Sequence, residues 1–395
     1  MDGILATSTT SSLFTSGSHV DLHTEAFFAW EQRKLGEVFK EYSEKNHTEL
    51  PALTIIQGGG TVKREDSDRI LMYDESNLSS YKMVRKDDFI VHLRSFEGGL
   101  EKSSLDGIVS PAYHTFHSDV ADSRFYYPYF RSHEFIKHKL VPHVYGIRDG
   151  RSIDIDGMKT IEIPYTSMEE QRKIGDYLES LDTLITLHQR KCDETKKLKK
   201  YMLQKMFPQN GEKVPEIRFS GFTDDWEQRK VSELCSISTG KSNTQDKVED
   251  GEYPFYVRSP IIERSTKYLY DEEAVITVGD GVGTGKVFHY VNGKYDLHQR
   301  CYRMYGFSDE LNAHYFYHTF SKLFYKRVMA MTAKTSVDSV RLEMISDMKI
   351  PVPNVEEQRK IGNLLDGIDH LITLHQRELE NLQNIKKFML GKMFV

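Results

Sequence analysis

The sequence predicts a mixed α/β fold of the α+β type, in which two globular domains alternate with two long helices as an internal repeat. Three observations predict it. The heptapeptide EEQRKIG occurs at Glu169–Gly175 and again, 187 residues later, at Glu356–Gly362. Apolar residues after each copy recur with the spacing of a helix seam. A second element, WEQRK, precedes each domain, at Trp30–Lys34 and at Trp226–Lys230.

Each repeated segment is expected to form one helix of about 38 residues, ~57 Å long at ~1.5 Å per residue. Between Glu169–Phe207 and Glu356–Phe394, 23 of 39 aligned positions are identical. The apolar positions follow in alternating steps of three and four, as in coiled coils. We therefore expect the two helices to form an intramolecular antiparallel coiled coil with pseudo-two-fold symmetry. The alternative is that each helix packs separately on its own domain.

The repeat also divides the chain into segments. The predicted segments are a loose tail (1–29), a first variable domain (30–167), a central framework helix (168–207), a linker (208–225), a second variable domain (226–355) and a C-terminal framework helix (356–395). The linker prediction rests on two prolines in a polar stretch. The two variable domains hardly resemble each other in sequence, whereas the two framework helices are closely similar.

Composition and charge exclude several classes of protein. With 38% hydrophobic and 28% charged residues, and no apolar run of ~18 residues, the chain does not read as a membrane protein. Its first 26 residues lack the basic start and apolar stretch of a secretory signal. The formal net charge of -6 argues against binding nucleic acid through overall basicity, although a local basic face remains possible.

Cysteine and histidine positions bear on metal binding. Cys192, Cys235 and Cys301 are too far apart in sequence for a disulfide framework or a CxxC zinc site, which favours a reducing cytoplasm. His188 and His375 occupy equivalent positions on the helix seam. They can be metal ligands or a matched pair of interface histidines. We favour the second interpretation and predict no metal site.

Each variable domain contains an aromatic, basic segment, at 124–151 and at 313–341. Clustered Lys and Arg can neutralise phosphates, and neighbouring polar side chains can read base edges. The simpler interpretation is that the aromatic residues form the core face of a helix and the cations its solvated face. For the aromatic residues we favour the core interpretation, and for the cations the two interpretations stay open.

The richest glycine run, TVGDGVGTGK at Thr277–Lys286, suggests a nucleotide-binding loop but fails its patterns. Asp280 stands where a Walker loop needs glycine, and Val287 follows Lys286 where Ser or Thr is required. A hairpin, or a turn that approaches a ligand, fits as well. The sequence also lacks the HExxH, GxSxG and nuclease patterns. A stand-alone nucleotide-binding enzyme that uses Gly279–Lys286 is therefore the alternative function and not the first.

The repeated helices, the WEQRK elements and the IP strands before each helix together resemble the specificity subunit of type I restriction-modification enzymes. The stretches Phe96–Tyr113 and Phe255–Tyr290 are similar to its target-recognition domains. One departure is that VPEIRFSGF (Val214–Phe222) introduces the second repeat, whereas residues 1–29 show no equivalent.

This resemblance implies a non-catalytic protein in which each domain reads one half of a bipartite double-stranded DNA target, while the helices set the gap between the half-sites. A ~57 Å helix corresponds to about one and a half turns of duplex. It further implies two modification subunits that carry S-adenosylmethionine and methylate adenine, and restriction subunits that use ATP and Mg. No cofactor is expected in this chain.

Within the domains, cationic and small polar residues in loops are the candidates for DNA contact, because Arg can address guanine and Gln adenine through paired hydrogen bonds. In the first domain they are Arg94, Ser95, Lys102, Ser103, Arg151 and Ser152. In the second domain they are Arg258, Ser259, Lys286, His298, Gln299, Arg300, Lys334, Thr335 and Ser336.

Overall fold

The computed structural model describes residues 30–67, 75–146, 151–209, 211–281, 283–331 and 339–394. The chain divides into two compact units, 1–179 with 390–395, and 180–389. Each unit mixes strands and helices, as predicted. Among the described helices, none combines the length and the apolar character required to cross a bilayer.

The first unit is built from short strands and short helices. Its strands are β1 (Glu31–Lys34), β2 (Lys40–Tyr42), β3 (Leu53–Ile56), β4 (Gly60–Lys63), β5 (Lys82–Val84), β6 (Phe89–Val91), β7 (Glu101–Lys102), β8 (Gly107–Val109), β9 (His114–His117), β10 (Val144–Tyr145), β11 (Ser152–Ile153) and β12 (Glu162–Tyr165). Its helices are α1 (Leu35–Val38), α2 (Ser95–Gly98), α3 (Ser123–Phe130), a π-helix (Phe135–Leu140) and α4 (Ile155–Lys159). The largest sheet has four strands in the order β2, β9, β6, β7, all antiparallel.

The second unit contains a larger sheet. Its strands are β13 (Glu227–Lys230), β14 (Ser236–Thr239), β15 (Tyr253–Tyr256), β16 (Ile262–Ser265), β17 (Tyr270–Val278), β18 (Phe288–Leu297), β19 (Cys301–Tyr305) and β20 (Lys349–Val352). Its short helices are α6 (Val231–Leu234) and α8 (Leu342–Ser346), and the 19-residue α7 (Ala313–Met331) packs on the sheet. Six strands form the order β14, β19, β17, β18, β15, β16, in which only the β15 and β18 pair is parallel.

The two repeated segments form the long helices α5 (Met168–Lys205) and α9 (Val355–Met393). Each begins just after a strand that pairs with a WEQRK strand: β12 pairs antiparallel with β1, and β20 pairs antiparallel with β13. The duplicated sequence therefore encodes a duplicated element, in which two paired strands lead into one helix.

Within the second unit, α5 and α9 contact each other as an antiparallel pair. Lys199 Nζ lies 2.6 Å from Asp369 Oδ2, and the repeat-equivalent residues Asp182 and Lys386 form the reciprocal ion pair. At the centre of the seam, His188 Nδ1 lies 3.4 Å from His375 Nδ1. The prediction of a paired, pseudo-two-fold helix scaffold is confirmed.

The heptapeptide docks each helix onto the strand and helix that precede it. Gln171 is buried; its side chain accepts from the Asp122 backbone N–H and donates to the Thr166 carbonyl. Gln358 is buried in the same way and bonds the Asn312 N–H and the Pro353 carbonyl. Each long helix is thus anchored at its start and paired with the other long helix farther along, so the alternative of two separately packed helices is wrong.

The aromatic segments form the cores, as the simpler interpretation predicted. Tyr126 in the first unit and Tyr315 in the second are fully buried, and each hydroxyl donates to the carbonyl of the proline in the IP strand. Phe394 packs on Trp30 within the first unit, with ring centroids 5.8 Å apart. In the second unit Phe207 packs on Trp226 at 6.1 Å.

Candidate nucleic-acid interface

In the second unit, five polar residues from four loops lie close together. Asn243 follows β14, Arg258 follows β15, Asp280 follows β17, and Gln299 and Arg300 form the turn between β18 and β19. We call these five the loop cluster. The strand order brings these connections together although they are spread over nearly sixty residues of sequence.

Asp280 organises the two arginines of the loop cluster. Its Oδ1 lies 3.4 Å from Arg258 Nη1, and its Oδ2 lies 3.8 Å from Arg300 Nε. The carboxylate side chain is 21% exposed, whereas the two arginine side chains are 47% and 65% exposed. The Asp280 carboxylate therefore orients both guanidinium groups. They remain accessible to an anionic or hydrogen-bonding ligand.

The amide side chains of the loop cluster are joined as well. Gln299 Nε2 donates to Asn243 Oδ1 at 2.5 Å, and both residues are exposed. The backbone below is fixed, since Gln299 N–H donates to the Ser242 carbonyl at 2.9 Å. An exposed amide on a fixed turn presents a donor and an acceptor side by side, and one such side chain can pair with adenine in the major groove.

His298 supports the turn from below and does not face solvent. Burial lowers the pKa of His298, and Arg258 acts in the same direction, so the imidazole is neutral. Its Nδ1 accepts from Arg300 N–H at 3.0 Å, which assigns the proton to Nε2, 3.3 Å from Thr244 Oγ1. His298 was predicted to contact DNA, but both of its ring nitrogens bond groups within the protein.

Five further residues of the second domain were predicted to contact DNA. The structure describes two of them, Ser259 and Lys286. Ser259 Oγ is bonded within its own turn, to the Ile261 backbone. Lys286 is exposed, and its Nζ lies 4.9 Å from the centre of the Tyr325 ring. Lys334, Thr335 and Ser336 lie outside the described residues.

In the first unit, the hairpin tip between β3 and β4 meets the helix α2. The absence of a side chain at Gly98 leaves room for the Gln57 amide, which would have to move if a Cβ were present there. Arg94 caps α2 and is exposed, and the exposed Arg151 lies over the Phe96 ring, with Cζ 5.8 Å from its centre. Gln57, Arg94 and Arg151 thus surround α2; we call them the α2 face.

A buried carboxylate fixes the hairpin tip. Glu101 is fully buried and accepts hydrogen bonds from Gly58 N–H at 2.7 Å, Gly60 N–H at 3.2 Å and the Tyr127 hydroxyl at 2.7 Å, besides an ion pair with Arg131. A buried charge of this kind is stable only with such partners. Neither Glu101 nor Gln57 was predicted as part of the site, although the run QGGG at Gln57–Gly60 is typical of a tight turn.

The other four residues of the first domain that were predicted to contact DNA do not belong to the α2 face. Two of them are buried. Ser95 and Ser103 are fully buried, and their hydroxyls bond the His92 N–H and the Leu105 carbonyl. Lys102 is paired with Asp87 at 2.9 Å and lines a polar cavity of about 720 Å³. Ser152 is exposed at the edge strand β11.

A second surface consists of exposed apolar side chains on the long helices within the second unit. Between 41% and 67% of each is exposed, and they come in repeat-equivalent pairs: Leu184 and Leu371, Leu187 and Leu374, Leu198 and Ile385, Tyr201 and Phe388. We call these the framework stripes. Large apolar side chains repeated on an exposed face are typical of a surface that binds another protein.

The Gly279–Lys286 loop does not have the surroundings of a phosphate-binding loop. It joins the antiparallel strands β17 and β18, so it is followed by a strand and not by the helix whose N-terminus binds phosphate. Within the described ranges, no three His, Cys, Asp or Glu side chains are grouped as metal ligands.

Comparison with known proteins gives one consistent family. The sequence profile described as type I restriction modification DNA specificity domain matches residues 29–197 and again residues 223–384. The specificity subunit of the type I restriction enzyme MjaVIII of Methanocaldococcus jannaschii is 25% identical over 261 residues, 60% of this chain and 61% of that protein. That of EcoDI of Escherichia coli is 24% identical over 163 residues, 41% of this chain and 35% of that protein.

The fold agrees with these matches. The crystal structure of the S subunit of a type I restriction-modification system from M. genitalium superposes with a TM-score of 0.67 at 15% identity, covering 95% of this chain and 98% of that one. The chain spans about three fifths of the length of the MjaVIII relative. Because the family profile matches most of the sequence, once in each half, this chain belongs to the type I restriction-modification DNA specificity family.

Proposed function

We propose that this chain binds a bipartite double-stranded DNA target, with one half-site read by each variable domain. The observation that carries the proposal is the double match of the specificity profile, at 29–197 and 223–384, with a cluster of exposed cations and amides in each half. In the second half-site, Arg258, Arg300 and Gln299 of the loop cluster contact bases or phosphates. In the first, Gln57, Arg94 and Arg151 of the α2 face do so.

The chain acts without catalysing a reaction itself. Two modification subunits dock on the framework stripes and bring S-adenosylmethionine for adenine methylation, and restriction subunits bring ATP and Mg. The stripes support this stoichiometry, since each apolar residue of one helix has a repeat-equivalent on the other. This chain holds no cofactor, and DNA as target implies a cytoplasmic location. The paired helices α5 and α9 set the gap between the half-sites.

The test is the methylation pattern of a genome in cells that express this chain with its modification subunit. We expect methylated adenines in one split motif with a fixed gap. Arg258→Ala should relax or abolish recognition of one half-site only, and Arg94→Ala that of the other. In each variant, recognition of the other half-site serves as the internal control. Genome-wide absence of chain-dependent methylation, or methylation that ignores both substitutions, would refute the proposal.

A further inference from the structure

A cavity of about 460 Å³ lies beside the helix pair, within the second unit. Its apolar wall contains Leu203 of α5 and Ile372 of α9. Its polar lining consists of four lysines and two glutamines: Lys196, Lys199, Lys200, Gln204, Gln209 and Lys322. The lining contains four cations and no carboxylate.

Lys322, on α7, is the unusual member of this lining. Its Nζ is buried and has no hydrogen-bond acceptor among the described residues. The nearest stabilising contact is the face of Phe207, whose ring centre lies 4.5 Å from Nζ. A buried ammonium is costly unless an acceptor or counter-charge compensates it. None of the described residues supplies an anion for this charge.

The neighbouring lysines increase this imbalance. Lys199 is already paired with Asp369 at 2.6 Å, so that carboxylate is occupied. Lys196 and Lys200 are exposed on the rim, and no ion pair joins either of them to a carboxylate in the described part of the chain. The cavity is therefore complementary to an anion that comes from another molecule.

The shape of the lining favours a protein carboxylate over a DNA phosphate. Phosphate contacts in DNA complexes use exposed cations on a polar, hydrated surface. Here the ammonium at the base is desolvated against the Phe207 ring, and the cavity wall contains the apolar side chains of Leu203 and Ile372. A carboxylate flanked by apolar side chains matches such a surface.

We propose that this cavity receives an Asp or Glu side chain of a docked modification subunit, which pairs with Lys322. The inference rests on the proposed function, since it requires that modification subunits dock on the helix pair. The rim is duplicated only in part, because Lys200 recurs as Lys387 whereas Gln383 stands where α5 carries Lys196. One of the two docked subunits therefore makes this contact and its counterpart does not.

The test measures assembly of the full chain with its modification subunit by titration and by the mass of the complexes formed. The wild-type chain should bind two copies. Lys322→Met should weaken one of the two binding steps by about tenfold or more, and Lys322→Glu should stop assembly at one copy. Lys326→Met removes an exposed lysine one turn farther along α7 and should bind two copies as the wild type does.

The outcomes separate the two proposals. If the wild-type chain binds no modification subunit, the proposed function fails. If it binds two copies and both Lys322 variants do so equally well, the cavity does not receive a carboxylate. Weaker DNA binding with unchanged assembly would assign the cavity to phosphate and overturn the inference. Lys322→Met should also keep or raise Tm, because the buried ammonium lacks an internal acceptor; a lower Tm would make Lys322 a structural residue.

Discussion

At the scale of single residues, carboxylates fix the geometry of both candidate DNA faces. Glu101 is fully buried and holds the hairpin tip in place, while Asp280 is partly exposed and holds two accessible arginines. Neither carboxylate needs to contact DNA to influence recognition, because each sets where neighbouring donors point. In the proposed function they position the cations and amides that contact DNA.

Asp280→Asn should alter recognition of the half-site read by the second domain. The neutral amide holds Arg258 and Arg300 less firmly, so discrimination there should fall by about 1–3 kcal/mol, the value of one good paired base contact. The measurement is the methylated motif in cells that express the variant. The other half-site is the internal control and should be read as before. An unchanged motif at both halves would show that Asp280 does not position the arginines for DNA.

The stability of the protein should depend on Lys322 in a pH-dependent way. Burial lowers the pKa of Lys322 to about 8, below its value in the unfolded chain. The unfolded state then binds more protons between pH ~8 and ~10.4, so this residue makes the free energy of unfolding rise with pH across that window.

Below pH ~8 the buried ammonium of Lys322 is charged and lowers the free energy of unfolding, and Lys322→Met removes this destabilisation. We expect the variant to be more stable than wild type at pH 7 by roughly 1–2 kcal/mol, after allowance for partial exposure, and the difference to shrink toward pH ~10.4. Denaturant unfolding at several pH values measures it. A difference that is constant with pH would contradict the assignment.

At the scale of elements, the two copies of EEQRKIG differ in the environment of their second glutamate. Glu357 is fully buried and accepts two hydrogen bonds from Arg218, at 2.7 and 2.9 Å. Arg218 lies in the leader VPEIRFSGF, for which the first copy has no sequence equivalent. There, Glu170 instead accepts from Trp30 Nε1 at 3.2 Å and bonds Thr166.

Arg218→Ala should destabilise the second unit strongly. It leaves the buried Glu357 carboxylate without its counter-charge, which costs about 3–5 kcal/mol. The matched control is Lys213→Ala in the same connector. Its ion pair with Asp225, 3.0 Å long, joins two mostly exposed side chains, so it should cost less than ~1 kcal/mol. Chemical denaturation compares them, and equal effects would mean that Arg218 does not compensate the buried charge.

The sequence predicted the elements better than the sites, for a physical reason. Helix periodicity is local, so α5, α9 and their pairing could be inferred from residues three and four apart. The loop cluster and the α2 face depend on how the strands are ordered. Tertiary structure brings Asn243 next to Gln299, and Gln57 next to Gly98, although the members of each pair are far apart in sequence. Ser103 resembled an exposed loop residue, yet it is buried beneath the hairpin tip. Its burial follows from tertiary packing, which periodicity does not report.

At the scale of the whole molecule, the reciprocal ion pairs Lys199–Asp369 and Asp182–Lys386 define one register for the antiparallel helices. The two pairs lie on either side of the His188–His375 contact. A slip of either helix by one heptad would break both ion pairs together, so the length of the paired region is fixed by sequence. In the proposed function, this fixed length gives the physical basis of a constant gap between half-sites.

Deleting the central heptad from each helix, residues 185–191 and 372–378, should change that gap. Both ion pairs stay in register, while each helix shortens by ~10 Å, equivalent to about three base pairs. Methylated motifs should show a shorter gap or disappear. The control is the double variant His188→Leu and His375→Leu, which removes the central histidines at full helix length and should keep the gap. A deletion variant that methylates the original motif would argue against the helices as the spacer.

The anchoring of each long helix by Gln171 and Gln358 has an evolutionary consequence. Both glutamines bond main-chain groups of the adjoining domain, at Asp122 and Thr166 and at Asn312 and Pro353. Every polypeptide offers such groups, whatever its side chains. Genetic exchange at these junctions can therefore install a foreign reading domain on the old scaffold, and a lineage can acquire a new DNA target in a single recombination event.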